Sequence, residues 1–494
     1  MKVLNVGPFI DGKELKTAGG GFADVVNPAT GGVIARQACC DAADVDRAVT
    51  SSARAFRSPE WQGLSAAGRG RLLLRLADLV EKHAEELVEL ELIDVGKPIG
   101  QLRGGEIPLL AAIIRFYAGA ADKIEGTLKP VAKGCMGLTM WEPYGVVAGI
   151  LPWNYPLVNT GLKVPPALAA GNAIVLKPSV ETPLSTVAFA RLCIKAGFPP
   201  GIVNVVTGSG SSVGNALVAH PQVRKVSFTG STPVGRAIQK LAADQMKAVN
   251  LECGGKNAVI VFADADLERA AQAALISAFV NAGQLCVSCS RLLVQEPVAD
   301  KLLALLKAKA KKITVGDPRD PRTLVGPMIT RSQYETALRY LADAPGEGCK
   351  VLCGGGALKP GGAIAGGFWI APTILDGARP GMKVHDEEIF GPVLTVVRFK
   401  EEYEAVEIAN GVEYGLSGSI WTGNAERAMR MIKAVDTGIL WVNTMLTGYP
   451  QIPVPPHKMS GTGVELGMEG LLAYCKRKSA MVGYDDKAPV GWGL

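Results

Sequence analysis

Two textures alternate along this chain. Over residues 42–56 and again over 68–95, apolar residues recur at helical spacing with Arg, Lys and Glu between them, which predicts helices. Residues 111–121 read as a further helix, so the opening third is mostly helical. Residues 123–144 partly alternate and contain Thr139, Met140 and Trp141, which predicts extended strands, arranged as a hairpin. From Gly145 the pattern becomes strand, loop, helix, repeated. The short apolar runs are 146–151, 173–177, 203–206 and 226–229; the helical segments are 164–170, 184–196, 213–219 and 234–245. Such alternation predicts a parallel sheet with helical crossovers. Ligands of such sheets sit outside the C-terminal strand ends, marked here by Trp153, Lys177, Gly210 and Gly230. A second series runs from about 258 to 446, with strands at 259–262, 292–294, 394–399 and 418–422 and a helix at 298–311. It predicts a second α/β domain. The Gly-rich stretch 354–367 reads as loop, and there is no internal repeat, coiled coil or low-complexity tract.

Composition narrows the function classes. The 494 residues suit two or three domains. The 52 basic and 46 acidic residues leave a net charge of +6 and form no long basic run, which argues against nucleic acid and anionic membrane as partners. No apolar run reaches the ~18 residues of a membrane span, and residues 1–15 lack the apolar core of a cleavable leader. The ten cysteines follow no framework, so reduced thiols in the cytoplasm are expected. His83, His220, His385 and His457 lie far apart, which argues against a zinc site or a His-dependent triad; no metal is expected.

Two sets of residues carry chemistry. Phe228-Thr229-Gly230-Ser231-Thr232-Pro233-Val234-Gly235 is a glycine turn between a strand and a helix, where backbone N–H groups and the helix's positive end suit a pyrophosphate. An ordinary turn explains it equally well, and Gly208-Ser209-Gly210 with Gly214 competes as a near-match to a dinucleotide fingerprint. The second set is Glu252-Cys253-Gly254-Gly255-Lys256 with Gly283-Gln284-Leu285-Cys286 downstream. A cysteine in a Gly-Gln loop suits a nucleophile and a glycine-flanked carboxylate suits a general base. An inert core thiol and a surface charge are the plain alternatives.

Taken in order, the motifs resemble the aldehyde dehydrogenase superfamily from about Phe9 to Val482. They are Pro152-Trp153-Asn154-Tyr155-Pro156, Leu176-Lys177-Pro178-Ser179, Phe228-Thr229-Gly230-Ser231, Leu251-Glu252-Cys253-Gly254-Gly255-Lys256, Gly283-Gln284-Leu285-Cys286, Glu387-Glu388-Ile389-Phe390-Gly391-Pro392-Val393 and Lys458-Met459-Ser460-Gly461. The resemblance implies oxidation of an aldehyde to the acid, with NAD as acceptor and NADP as an alternative. Cys286 would attack the carbonyl, Asn154 would stabilise the oxyanion, and Glu252 would activate the water that hydrolyses the thioester. Lys163 and Glu465 match polar positions of a relay behind Glu252, and a structural ion pair fits them as well. By the same resemblance Lys177 would reach the adenosine ribose, Ser231 with Gly230 and Val234 the pyrophosphate, and Glu388 the nicotinamide ribose, with Phe390 near the ring. Ile150, Trp153, Ser179, Val180, Gly210, Phe228, Thr229 and Cys253 complete the implied cofactor surface.

The implied fold is α/β: a Rossmann-like cofactor domain over 1–122 and 142–252, an α/β catalytic domain over 253–474, and a small strand-rich oligomerisation segment over 123–141 and 475–494. A dimer or tetramer is the implied assembly. Several positions depart from the family pattern: Val180 where many members carry Glu, Leu162 where many carry an aromatic, and Val454-Pro455-Pro456 for a frequent Phe-Gly-Gly. These imply a wider, less aromatic tunnel and weaken a quaternary ammonium substrate; aliphatic aldehydes, amino-aldehydes and semialdehydes are favoured. The rivals are a CoA-acylating enzyme, which has no need of Glu252, a non-catalytic scaffold, and a thiol or metal protein built on Cys286 and Cys289. Those two cysteines are also expected to be joined by oxidation.

Overall fold

Asp41 opens the first long helix, Ala42–Phe56. Its carboxylate accepts from Asp44 N, and Asp44 reaches back to Asp41 N, so two end donors are satisfied reciprocally. The computed structural model describes residues 3–486 and 488–491. The expected helix over 68–95 is two helices, Ala66–Lys82 and Ala84–Asp94, which meet at His83. Their apolar spacing continues across the break, so periodicity alone does not reveal it. The expected helix at 164–170 starts earlier and runs Pro156–Ala169. Pro156 supplies a preset first-turn dihedral, and Asn159 and Thr160 return hydrogen bonds to the carbonyls of Tyr155 and Pro156. The expected helix at 213–219 begins with a π-helical turn, Gly210–Gly214, before Asn215–Ala219. The mostly helical opening also holds a three-stranded sheet of Leu4–Val6, Val33–Ala38 and Phe22–Val26, whose strands are too short and polar to announce themselves.

Five parallel strands form the centre of an eight-stranded sheet: Ala248–Glu252, Val223–Thr229, Val146–Ile150, Ala173–Lys177 and Val203–Val205, in that spatial order. Short antiparallel strands close both edges, Gly461–Thr462 beside Ala248–Glu252 and Phe9–Ile10 beside Val203–Val205. The register places Ile150 opposite both Lys177 and Phe228, and Thr229 opposite Glu252. The chemistry-bearing residues therefore share one rim of the sheet, the rim at which open α/β sheets bind ligands. Gly461–Thr462 crosses the expected division at 252, because this late segment supplies the edge strand against Glu252.

The second sheet has seven strands in the order Lys350–Cys353, Thr373–Asp376, Val393–Phe399, Arg291–Gln295, Ala258–Val261, Ser417–Trp421 and Ile439–Val442. All pairs are parallel except the first. Separate buried apolar clusters pack on this sheet and on the two faces of the first. The expected hairpin exists: Thr127–Lys129 pairs with Cys135–Pro143, and Cys475–Gly483 adds a third antiparallel strand. The expected oligomerisation tail extends to 494, and its residues 487 and 492–494, like residues 1–2 of the first expected domain, lie outside the described residues.

Candidate active site

Cys286 comes from the loop between helix Leu267–Phe279 and strand Arg291–Gln295, in the half of the chain that builds the second sheet. Glu252 ends a strand of the first sheet, and Asn154 stands just before the helix Pro156–Ala169. All three line one cavity of about 1240 Å³. Trp153, Thr229, Gly230, Ser231, Cys253, Glu388, Phe390 and Glu465 line it too.

The cysteine loop is held by three side chains to which the sequence motifs assign no role. Asn257 donates to the carbonyls of Cys286, at 2.7 Å, and Ser288, at 2.9 Å. Asn281 donates to the carbonyl of Asn154, and Gln284 bridges Asn281, Pro327 and Ile329. Asn281, Ala282 and Gly283 all have positive φ. Such backbone persists for non-glycine residues only where the surroundings over-determine it; the tight Asn-Ala-Gly sequence was the available signal. The Asn154 amide points at the same loop and donates to the Gln284 carbonyl at 3.0 Å.

Lys163 does not line the cavity. It lies buried behind it, bonded to Glu465 at 2.6 Å and to Thr229 Oγ1 at 2.7 Å. Glu252 is buried with its Oε1 unpartnered. Burial and the nearby Glu465 hold its pKa well above the carboxylate range, against the pull of Lys163. Burial, with Glu252 and Glu388 close by, pushes the Cys286 thiol up to about 12. The free site therefore favours a neutral thiol, and activation must come from a positive charge or a proton acceptor.

Of the implied cofactor residues, Ser231, Glu388 and Phe390 line this cavity, and Ile150, Lys177, Ser179, Val180, Gly210, Phe228 and Val234 do not. Ile150 and Phe228 are buried beneath the rim. The Phe228 ring lies against Gly230, where a Cβ would come within 2.5 Å of it. Ser231 caps the helix Thr232–Ala243 with no side-chain hydrogen bond, and Val234 is exposed in its first turn. Lys177 is buried against Gly214; its ammonium meets the Pro178 carbonyl, and burial brings its pKa down to about 8. Ser179 donates to the Glu181 carboxylate, the Val180 carbonyl accepts from Gln37, and Gly210 starts the exposed π-turn. Glu388 accepts from Gly255 N at 2.8 Å and lies so close to Gly254 that a Cβ there would meet it at 2.3 Å. Burial raises the Glu388 pKa to about 7. Phe390, at φ +54°, sets its ring edge-on to Trp153 with centroids 5.3 Å apart.

Cys289 does not share the site. It packs in the core of the second sheet, beside the Ser277 and Ser417 hydroxyls, whereas Cys286 faces the cavity. The expected oxidative pairing would have to join a cavity thiol to a buried core thiol. Among the described residues no cluster of three potential metal ligands occurs, and no helix is long and apolar enough to cross a membrane.

Comparison with known proteins decides the family. The model of the aldehyde dehydrogenase family matches residues 16–480. The chain belongs to the aldehyde dehydrogenase family. Aldehyde dehydrogenase family 2 member C4 of Arabidopsis thaliana is 40% identical over 476 residues, 96% of this chain and 94% of that one. PnpE of Pseudomonas sp. WBC-3 is 44% identical and superposes with a TM-score of 0.96 over 100% of both chains; PnpE has also been solved with nicotinamide adenine dinucleotide. The indole-3-acetaldehyde dehydrogenase AldA of P. syringae, solved with NAD+ and IAA, is 39% identical with a TM-score of 0.94, covering 98% of this chain and 97% of that one. In this aldehyde dehydrogenase the rim of the first sheet and the cysteine loop thus meet as in an oxidoreductase acting on aldehydes.

Proposed function

We propose that this aldehyde dehydrogenase oxidises an uncharged, largely apolar aldehyde to its acid through a thiohemiacetal and a thioester on Cys286, with NAD as acceptor. The observation that carries the reading is the convergence of Cys286, Asn154 and the unpartnered Glu252 carboxylate on one cavity. Cys286 attacks the carbonyl carbon. The developing oxyanion meets the Asn154 amide, a preorganised donor in a water-poor site. NAD, when bound, supplies hydride acceptance. Glu252, once ionised, takes a proton from the water that attacks the thioester, and Lys163 and Glu465 hold that carboxylate's charge balance.

Several features of the rim fit NAD. The end of helix Thr232–Ala243 has no side-chain cap and so keeps N–H groups for a pyrophosphate. Gly230 and Gly254 leave backbone open where any Cβ would collide. Lys177 and Glu388 would hold the two riboses. The Glu181 carboxylate beside Ser179 and Lys177 would repel a 2′-phosphate, which favours NAD over NADP although Val180 offers no acceptor side chain.

The substrate end of the cavity carries no Lys, Arg or His among the described residues, so a semialdehyde's carboxylate has no counter-ion there. The Tyr155 ring already receives the Lys97 ammonium at 3.7 Å, which removes it as a cage for a quaternary ammonium. Leu162 and Val454 line the cavity with Gly100, Gly104 and Gly105, small or aliphatic residues that favour a wide tunnel, and Trp441 and Tyr449 supply aromatic surface. Exposed Leu128, Met140 and Met481 on the small antiparallel sheet support its role in a dimer or tetramer. The proposed division follows the expected segments except that Gly461–Thr462 joins the first sheet, and ten free thiols support a reducing compartment such as the cytoplasm.

The test is reduced-cofactor formation with NAD and a panel of aliphatic, aromatic, amino- and carboxylate-bearing aldehydes. Apolar members are expected to give the highest kcat/KM, and Cys286→Ala is expected to bind NAD without turnover. Turnover by that variant would end the reading.

A further inference from the structure

A row of buried polar side chains leads away from the site through the first sheet. Side chains alternate along a strand, so Lys225, Ser227 and Thr229 share one face of Val223–Thr229. This strand is central, lying between Val146–Ile150 and Ala248–Glu252, where parallel sheets are ordinarily apolar. Yet Lys225 is 3% exposed, Ser227 0% and Thr229 9%. At one end, Thr229 Oγ1 accepts from Lys163, which holds Glu465. In the middle, the Ser227 hydroxyl lies close to the Tyr474 phenol, which burial and the nearby Glu465 hold in its neutral, proton-bearing form, and neither oxygen has a full hydrogen bond within the chain. The Tyr117 hydroxyl, near Tyr474, is likewise unpartnered. A buried hydroxyl without a partner costs about 1–3 kcal/mol, and such groups ordinarily bind ordered water. At the other end, the Lys225 ammonium stands 5.4 Å from the Tyr474 ring centre and 5.8 Å from that of Tyr144, and Tyr144 is partly exposed. The row therefore runs from the Lys163–Glu465 pair, beside the cavity wall at Thr229, to the partly exposed Tyr144.

We propose that Lys225, Ser227 and Tyr474 form the route by which the proton released in hydrolysis reaches solvent. The inference rests on the hydrolytic reading above. In that step one O–H bond of water breaks and its proton goes to Glu252. The water oxygen bonds the acyl carbon, the C–S bond breaks, and the acid leaves as carboxylate. One proton returns to the Cys286 sulfur and one must leave the protein. No electron changes hands in this step. The charge pattern suits proton transfer, because burial and the like charge of Lys163 bring Lys225 down to about 8, against the pull of Glu465 and Cys475, so it takes up and gives back a proton near neutral pH. The residues act through Glu252 and touch no substrate; they position and pass a proton.

The test uses the full enzyme with an apolar aldehyde and saturating NAD, read in one stopped-flow experiment. In Lys225→Met the first turnover of reduced cofactor is expected to keep its amplitude and rate. The steady rate is expected to fall about tenfold, less than the ~10²-fold of a direct acid–base group because water offers a partial bypass. The solvent isotope effect on that steady rate should rise, and Ser227→Ala should move both readouts in the same direction. Lys225→Ala should regain rate with added methylamine, which a merely structural loss would not. An unchanged steady rate and isotope effect in Lys225→Met would overturn the route and leave the cavity mouth as the exit. If Lys225→Met loses the first turnover as well, the amine decides: no recovery in Lys225→Ala overturns the proposal. The underlying reading fails separately, through an undiminished steady rate in Glu252→Gln.

Discussion

Adding NAD+ should activate the Cys286 thiol through charge alone. Burial and the carboxylates of Glu252 and Glu388 push this thiol from 9.0 up to about 12 in the free site. Each pH unit corresponds to ~1.36 kcal/mol, so the site disfavours thiolate by roughly 4 kcal/mol. A cofactor cation bound beside the sulfur would contribute a term of opposite sign; two unit charges about 4 Å apart at an effective dielectric constant of about 20 interact by ~4 kcal/mol. The two terms are of one size, so cofactor binding should offset most of the penalty. The assay is the rate of alkylation by iodoacetamide as a function of pH, since only the thiolate reacts. Peptide mapping restricts the signal to Cys286, because Cys39, Cys135 and Cys353 are also partly accessible. In the free enzyme the rate should still be climbing at about pH 10, and with NAD+ the profile should move down by roughly two to three pH units. Glu252→Gln, which removes one like charge, should move the free profile down as well. A free-enzyme midpoint near the ordinary ~8.5, or a profile that NAD+ leaves in place, would refute the electrostatic account.

Three further outcomes follow from the geometry. Asn257→Ala removes the donor to two loop carbonyls, Cys286 and Ser288; at ~1–3 kcal/mol for each acceptor left unpaired, urea unfolding should show a loss of about 2–6 kcal/mol, with kcat falling more than KM changes. Gly105 lines the cavity where an added Cβ meets nothing within 4 Å, so Gly105→Val should fold normally yet lower kcat/KM for a ring-bearing aldehyde about tenfold relative to acetaldehyde. Glu252→Gln should give about one equivalent of reduced cofactor per site and then stall; in the parent enzyme the steady rate should rise with pH, because burial and Glu465 keep Glu252 protonated well above the carboxylate range.

The parts of the fold legible in the sequence were those with long, clean periodicity. Ala42–Phe56 and Leu184–Ala196 match the apolar spacing end to end, and the β-branched runs at Val146–Ile150 and Ala173–Lys177 stand out because both faces are buried. Tertiary context hid the rest. Gly461–Thr462 is too short to carry a pattern, yet it closes the sheet beside Glu252. Pro165 and Pro166 mimic a helix stop inside Pro156–Ala169. In the site, the nucleophile loop and the carboxylate were visible as motifs. The roles of Asn257 and Asn281 were not, because an amide that satisfies a distant carbonyl leaves no periodic trace. The polar row Lys225, Ser227, Thr229 was readable as alternation, but only the strand's central place in the sheet makes its burial informative.

The central claim is that the acyl group passes through Cys286. It is tested most directly by mass spectrometry of Glu252→Gln after brief mixing with NAD and an apolar aldehyde, with acid quenching. The account predicts one acyl adduct per chain, on the peptide that carries Cys286, absent when NAD is omitted and absent in the Cys286→Ala, Glu252→Gln double variant. Formation of acid with no adduct at Cys286, or an adduct on any other residue in its place, would contradict it.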